Sequence, residues 1–281
     1  MTLHVYGQPC QSRLFLGTAR YPSPASLGQA VEEAKPGFIT VSLRREAIGM
    51  GRKAKSPHAY QGSHGFQGLL KAMGVPVLPN TAGCLSVSEA MTTAHMGREL
   101  FQTPLVKLEV IRDETTLQPD LPGLMEAARL LCAEGFHVLP YCTTDLSVAD
   151  KLMQAGCTIL MPGASPIGAG QGIHDPAAMK RLRACFPETI LVADAGLRVP
   201  SQAAALMEWG YDAILVNTAV ARAENPPLMA RAFAKAVKAG RMAFKAGPTL
   251  EREEAVPSTP MAGRAFTDDT QPWRESAHAP A

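Results

Sequence analysis

PLVKLEVIRD, residues 104–113, reads as a short β-strand rich in branched aliphatic side chains. Strand side chains alternate with a period of two, so Lys107, Glu109 and Ile111 share one face while Val106, Leu108 and Val110 share the other. A cation and an anion therefore lie on the same side of one strand. If that strand belongs to a parallel barrel, the shared side faces the interior. A lysine is costly there unless it is paired, neutralised or used chemically.

Outward from this strand, the same kind of segment recurs. Strand patterns are expected at Arg13–Gly17, Phe38–Leu43, Val75–Thr81, Phe136–Tyr141, Cys157–Met161, Thr189–Asp194 and Tyr211–Asn217. Between them run apolar stripes at helical spacing, such as Leu27, Ala30, Val31 and Ala34, then Phe66, Leu69, Leu70 and Met73. Helix starts are marked by Ser23-Pro24, by Ser86 with Glu89 three residues on, by Asp120, by Asp145 and by Asp175-Pro176. Another helix is expected over Ser201–Trp209, and a last stripe at Leu228, Met229, Ala232, Phe233, Ala236 and Val237 closes the series. Strict β/α alternation implies a parallel sheet covered by helices. Eight repeats with no linker between them predict a closed (β/α)8 TIM barrel over residues 1–247, with an open doubly wound sheet as the alternative.

Composition agrees with a globular domain: 46% hydrophobic and 19% charged residues in 281. Lys and Arg number 27 against 25 Asp and Glu, a balance that argues against nucleic acid or a membrane surface as partner. No basic leader followed by an apolar run begins the chain, and no run is long enough to span a bilayer, so a cytoplasmic protein is expected. The six cysteines form no C-x-x-C pair and sit mostly in apolar segments, which favours core thiols over a metal cage. Two regions break the repeat. The Arg44–Ser63 segment is long, glycine-containing and basic, consistent with a lid, a partner-binding loop or a solvated excursion. Residues 248–281 are polar and proline-rich and are expected to form a flexible tail.

In such a barrel the functional groups gather at the carboxyl ends of the strands. Those ends hold Lys107 and Glu109, the Gly168-Ala169-Gly170-Gln171-Gly172 cluster, Asp194-Ala195-Gly196, and Asn217-Thr218. A lysine in a low-dielectric interior loses some of its tendency to protonate and attacks a carbonyl to form an imine. The alternative is a structural ion pair with Glu109 or Asp194. Those two carboxylates either shuttle protons around an imine or only neutralise the lysine. The glycine cluster lacks dinucleotide-fingerprint spacing. It is read either as backbone amides offered to a phosphate or as turn chemistry. Cys84, after the third strand, reads as an ordinary thiol, having no adjacent histidine.

Taken together, the segments SRLFLGTARY, ITVSLRR, LPNTAGC, VKLEVI, GFHVLPYCTTD, MPGASPIGAGQG, ADAGLRVPSQAA and ILVNTAVA resemble the bacterial thiazole synthase family from about Ser12 to Gly247. The resemblance implies a (β/α)8 barrel that builds the thiazole phosphate half of thiamin. Its substrates would be 1-deoxy-D-xylulose 5-phosphate, dehydroglycine and sulfur carried as the C-terminal thiocarboxylate of a ubiquitin-like protein. It implies Lys107 as the imine-forming lysine, Glu109 and Asp194 as the acid-base pair, and Gly168, Ala195, Gly196, Asn217 and Thr218 around the phosphate. It implies a homodimer or homotetramer, with no metal or organic cofactor. The basic segment from Arg44 would then admit the carrier's tail, and PSTPMAG near the C-terminus resembles the family's tail motif. Ala169 stands where a serine is common, and Arg198 where glycine is expected. A class I aldolase-like barrel on another sugar phosphate and a non-catalytic scaffold that docks a sulfur carrier are the rival readings.

Overall fold

A computed structural model of the chain describes residues 2–43 and 62–258. The chain divides into two units, Met1–Gly247 and Pro248–Ala281. In the second unit the described residues, 248–258, carry no regular secondary structure and are exposed. Residues 44–61 of the basic segment, and the PSTPMAG motif from residue 259 on, lie outside the described residues.

The first unit opens with a hairpin of β1 (Leu3–Val5) and β2 (Gln8–Cys10), an element that the sequence pattern did not reveal because each strand is only three residues long. Eight parallel strands then follow: β3 (Leu14–Gly17), β4 (Phe38–Ser42), β5 (Val77–Asn80), β6 (Leu105–Leu108), β7 (His137–Cys142), β8 (Ile159–Pro162), β9 (Ile190–Ala193) and β10 (Ala213–Val216). β10 pairs with β9 on one side and β3 on the other, so the sheet closes on itself. The architecture is the (β/α)8 TIM barrel, and the open-sheet alternative is excluded.

The outer layer comprises α1 (Pro24–Ala34), α2 (Gly62–Met73), α3 (Val87–Phe101), α4 (Leu121–Ala133), α5 (Leu146–Gln154), α6 (Pro176–Cys185) and α7 (Pro200–Glu208). A four-residue α8 (Thr218–Ala221) and the long α9 (Pro226–Ala246) complete it. Four starts follow the expected chemistry, whereas Asp120 precedes α4 without a side-chain cap hydrogen bond. Ser23 accepts from Ser26 N–H, Ser86 from Glu89 N–H, Asp145 from Ser147 and Val148, and Asp175 from Ala178. Each side chain satisfies a donor that the first helical turn leaves without a partner.

Alternation along the strands separates two apolar layers. Leu14, Leu16, Ile39, Val106, Leu108, Leu191 and Ile214 pack outward against the helices. Phe15, Phe38, Leu78, Leu105, Leu139, Met161, Val192 and Leu215 fill the interior, which the hairpin residues Leu3, Val5 and Cys10 plug from the amino end of the strands. Toward the carboxyl ends the inward positions turn polar: Thr40, Asn80, Lys107, Glu109 and Asp194 are all buried. The interior is thus a packed apolar floor beneath a buried polar layer. Among the described residues no helix is long and apolar enough to cross a membrane.

The closing seam has its own lock. Asp212, just before β10, lies 3.6 Å from Arg13, 3.1 Å from Arg183 and 4.0 Å from Arg241. The Arg13 guanidinium also donates to Asp212 O at 2.6 Å, tying the first barrel strand to the last.

Candidate active site

The face of β6 anticipated from its period carries the centre of the site. Lys107 Nζ lies 3.0 Å from Glu109 Oε1 and 2.5 Å from Asp194 Oδ2, with each of the three side chains less than a tenth exposed. Glu109 follows the strand, and its backbone is held there by Thr81. The Thr81 hydroxyl donates to Glu109 O and accepts from Glu109 N–H, both at 2.7 Å, while Thr81 N–H donates to Lys107 O. Asp194 extends β9 by one bridge, to Gly163, and its carbonyl accepts from Ala164 N–H. The triad is therefore assembled from two strands on opposite parts of the barrel, each fixed by backbone bonds.

The protonation of Lys107 runs against the expectation from burial alone. Desolvation lowers its affinity for a proton, but the adjacent Asp194 and Glu109 carboxylates outweigh it and hold the ammonium well above its ordinary range. The resting lysine is thus charged and ion-paired.

All eight candidate residues meet in one cavity of about 380 Å³ at the carboxyl end of the barrel: Lys107, Glu109, Asp194, Gly168, Ala195, Gly196, Asn217 and Thr218. In the same cavity, the backbone N–H groups of Gly168, Gly170, Ala195, Gly196 and Thr218 donate to no acceptor among the described residues. Unpaired amides converging on a concave wall form an anion-binding surface. Three non-glycine residues of the lining, Arg20 (φ 70°), Leu117 (φ 54°) and Ala195 (φ 58°), sit in the left-handed region, a strained conformation that accumulates at functional loops. Gly196 (φ 75°) has no room for a side chain, because a Cβ there would fall 1.8 Å from Ser165 Oγ. The Asn217 amide, with its nitrogen facing Ala19 O at 2.8 Å and Gly17 O at 3.2 Å, clasps the β3 loop across the seam.

Ala169 is absent from this lining, whereas Arg198 joins it as an exposed cation at the rim. Cys84 belongs to the layer between barrel and helices, with its sulfur 3.4 Å from Thr93 Oγ1, and takes no part in the cavity. Two participants were not singled out from the sequence: Arg20 and Tyr141. Tyr141 was legible in principle, since it follows inward-facing Leu139 by two residues at the end of β7. Its ring centroid lies 5.7 Å from Lys107 Nζ.

With the geometry established, comparison with known proteins is specific. The profile of the family described as "Thiazole biosynthesis protein ThiG" matches residues 4–260. A thiazole synthase from Brucella abortus is 55% identical over 264 residues, covering 94% of this chain and 99% of the relative, and one from Brucella anthropi is 54% identical with the same coverage. Among solved structures, the Amycolatopsis orientalis BexX/CysO complex aligns with a TM-score of 0.76 at 29% identity, over 90% of this chain and 98% of that one. With a barrel of this topology and relatives that match it nearly end to end, the chain belongs to the ThiG family of thiazole biosynthesis proteins.

Proposed function

We propose that this chain is a cytoplasmic, homo-oligomeric thiazole synthase that joins 1-deoxy-D-xylulose 5-phosphate, dehydroglycine and carrier-delivered sulfur into the thiazole phosphate of thiamin. The observation that carries the reading is the buried Lys107 held between two carboxylates, at 3.0 and 2.5 Å, facing a wall of unpaired amides. The amides of Gly168, Ala195, Gly196 and Thr218, beside Asn217, take the phosphate. Arg198 adds a cation at the rim, which suits a dianionic group. The phosphate end then fixes the ketone over Nζ.

Imine formation requires a neutral amine. The proton leaves Nζ along the 2.5 Å contact to Asp194 or the 3.0 Å contact to Glu109, and the net charge of the triad is unchanged. Nζ attacks the ketone carbon, the carboxylic acid returns its proton to the developing oxyanion, and water departs as the C=N bond forms. Two carboxylates flanking one nitrogen also allow one to remain a base while the other is an acid in the later proton transfers. The sulfur arrives as the thiocarboxylate of a carrier protein. The assembly of the homologous BexX with CysO supports a partner of that kind.

Borohydride reduction in the presence of deoxyxylulose phosphate, followed by peptide mass spectrometry, tests the reading. An adduct on Lys107 is expected, and its absence from active protein would refute the imine. Product analysis with carrier thiocarboxylate and dehydroglycine distinguishes thiazole formation from retro-aldol cleavage.

A further inference from the structure

The amino end of the barrel, away from the candidate active site, holds two thiols that no step of the proposed reaction uses. Cys132 lies in the last turn of α4 and is half-buried, whereas Cys157 lies in the turn between α5 and β8 and is 1% exposed. Strand register brings them together. β7 and β8 run parallel, with Tyr141 opposite Met161 and Cys142 opposite Pro162. The entry to β8 therefore comes alongside the entry to β7, into which α4 feeds through Glu134, Gly135 and Phe136. Gly156 completes the approach: it sits at φ 104°, and a Cβ there would fall 3.1 Å from Cys132 Cβ and 3.5 Å from Cys132 Sγ. Both side chains pack in the layer between barrel and helices, and their thiols share a hydrogen bond.

The hairpin braces this corner. Tyr6, in the turn between β1 and β2, donates its hydroxyl to Val138 O at 2.7 Å and accepts from Thr158 N–H at 3.4 Å, so the entries to β7 and β8 are tied to one another. Its ring stacks on His137 with 4.4 Å between centroids. The two sulfurs are chemically unequal. The hydrogen bond from Cys157 holds the Cys132 thiol below its ordinary value, while that bond and burial push Cys157 up. Cys132 is also the more exposed of the two. A reachable thiol of thiolate character with a second thiol directly behind it is the arrangement in which oxidation stops at a disulfide. Of the other cysteines, Cys10, Cys84 and Cys142 are buried, and Cys185 is exposed.

We infer that Cys132 and Cys157 form a reversible redox site, in which a peroxide converts the paired thiols into a disulfide bond between α4 and the entry to β8. The Cys132 thiolate attacks one peroxide oxygen, the O–O bond breaks, and hydroxide leaves behind a sulfenic acid. Cys157 sulfur then attacks the sulfenic sulfur, the S–O bond breaks, and the departing hydroxide takes the Cys157 proton as water. Two thiols and one hydrogen peroxide give one disulfide and two waters. A dithiol reductant restores the pair by exchange, and in a reducing compartment the dithiol is the resting state. The disulfide keeps Cys132 from the irreversible sulfinic and sulfonic acids.

The test exposes the full chain, Cys132→Ser and Cys157→Ala to a small excess of hydrogen peroxide with and without dimedone. Remaining thiols are blocked with iodoacetamide, and tryptic peptides are read by mass spectrometry before and after dithiothreitol. In the wild type, peptides 130–151 and 152–180 are expected to be joined, at a mass about 2 Da below their sum, and to separate on reduction. Cys132→Ser yields no joined species. In Cys157→Ala the sulfenic acid has no thiol to resolve it, so dimedone labelling of Cys132 rises at least about tenfold over the wild type. Separate peptides in wild-type protein whose exposed Cys185 has been oxidised overturn the proposal, and this outcome needs no variant to fold. Joined peptides that persist in Cys132→Ser overturn it too, because the bond then belongs to Cys142, which shares peptide 130–151.

Discussion

Replacing Lys107 by methionine removes the cation between Glu109 and Asp194 while keeping most of the side-chain volume. The two carboxylate oxygens, 3.0 and 2.5 Å from Nζ, are then at most about 5.5 Å apart and repel by about 3 kcal/mol at an effective dielectric of about 20. Binding one proton between them abolishes most of that repulsion. The folded variant therefore holds a proton that the unfolded chain releases near neutrality, and its stability falls as pH rises. Between pH 5 and pH 8 the expected loss is about 1.5 kcal/mol, since part of the repulsion is already expressed at pH 5. In the wild type Lys107 is raised above its ordinary 10.5, so its contribution is fully present below that value and is lost only as pH climbs through the folded value. Wild-type and variant proteins are compared by urea unfolding at both pH values, with the variant's difference taken relative to the wild type's. The variant forms no borohydride adduct at this position. Equal pH sensitivity of the two proteins would refute the coupling of the triad.

Other perturbations follow from the same contacts. Thr81→Val deletes the hydroxyl that holds Glu109 N–H and O at 2.7 Å, leaving two buried backbone groups without partners. A loss of about 2 to 3 kcal/mol on thermal unfolding and a lower kcat are expected, with KM little changed. Gly196→Ala places a methyl 1.8 Å from Ser165 Oγ at a φ of 75°, so KM for the phosphorylated substrate should rise by about tenfold or more, read by steady-state kinetics. Asp212→Ala leaves Arg13, Arg183 and Arg241 facing one another at the barrel seam. Because these groups are 13–19% exposed, the expected loss is about 2 kcal/mol by urea unfolding, less than for a fully buried pair.

The parts of this protein visible in its sequence are those governed by neighbours along the chain. The period of two in VKLEV put Lys107 and Glu109 on one face. Caps at Ser23, Ser86, Asp145 and Asp175 marked helix starts, and eight alternations of strand and helix predicted a barrel with its polar ends at one mouth. Short strands such as Leu3–Val5 and Gln8–Cys10 escaped because three residues carry too little period to read. What depends on distance through space was decided only by the tertiary structure. Closure of β10 on β3 brought Asn217 against Gly17, and barrel curvature carried Asp194 to 2.5 Å from a lysine 87 positions earlier in the chain. Burial alone argued for a lysine that sheds its proton. The two carboxylates that the fold sets beside it reverse that sign, because Coulomb attraction over about 3 Å exceeds the desolvation it opposes. The placement of Tyr141 is likewise a product of packing: the alternation of FHVLPY makes the side chain inward-facing, but only the barrel sets its ring centroid 5.7 Å from Lys107 Nζ.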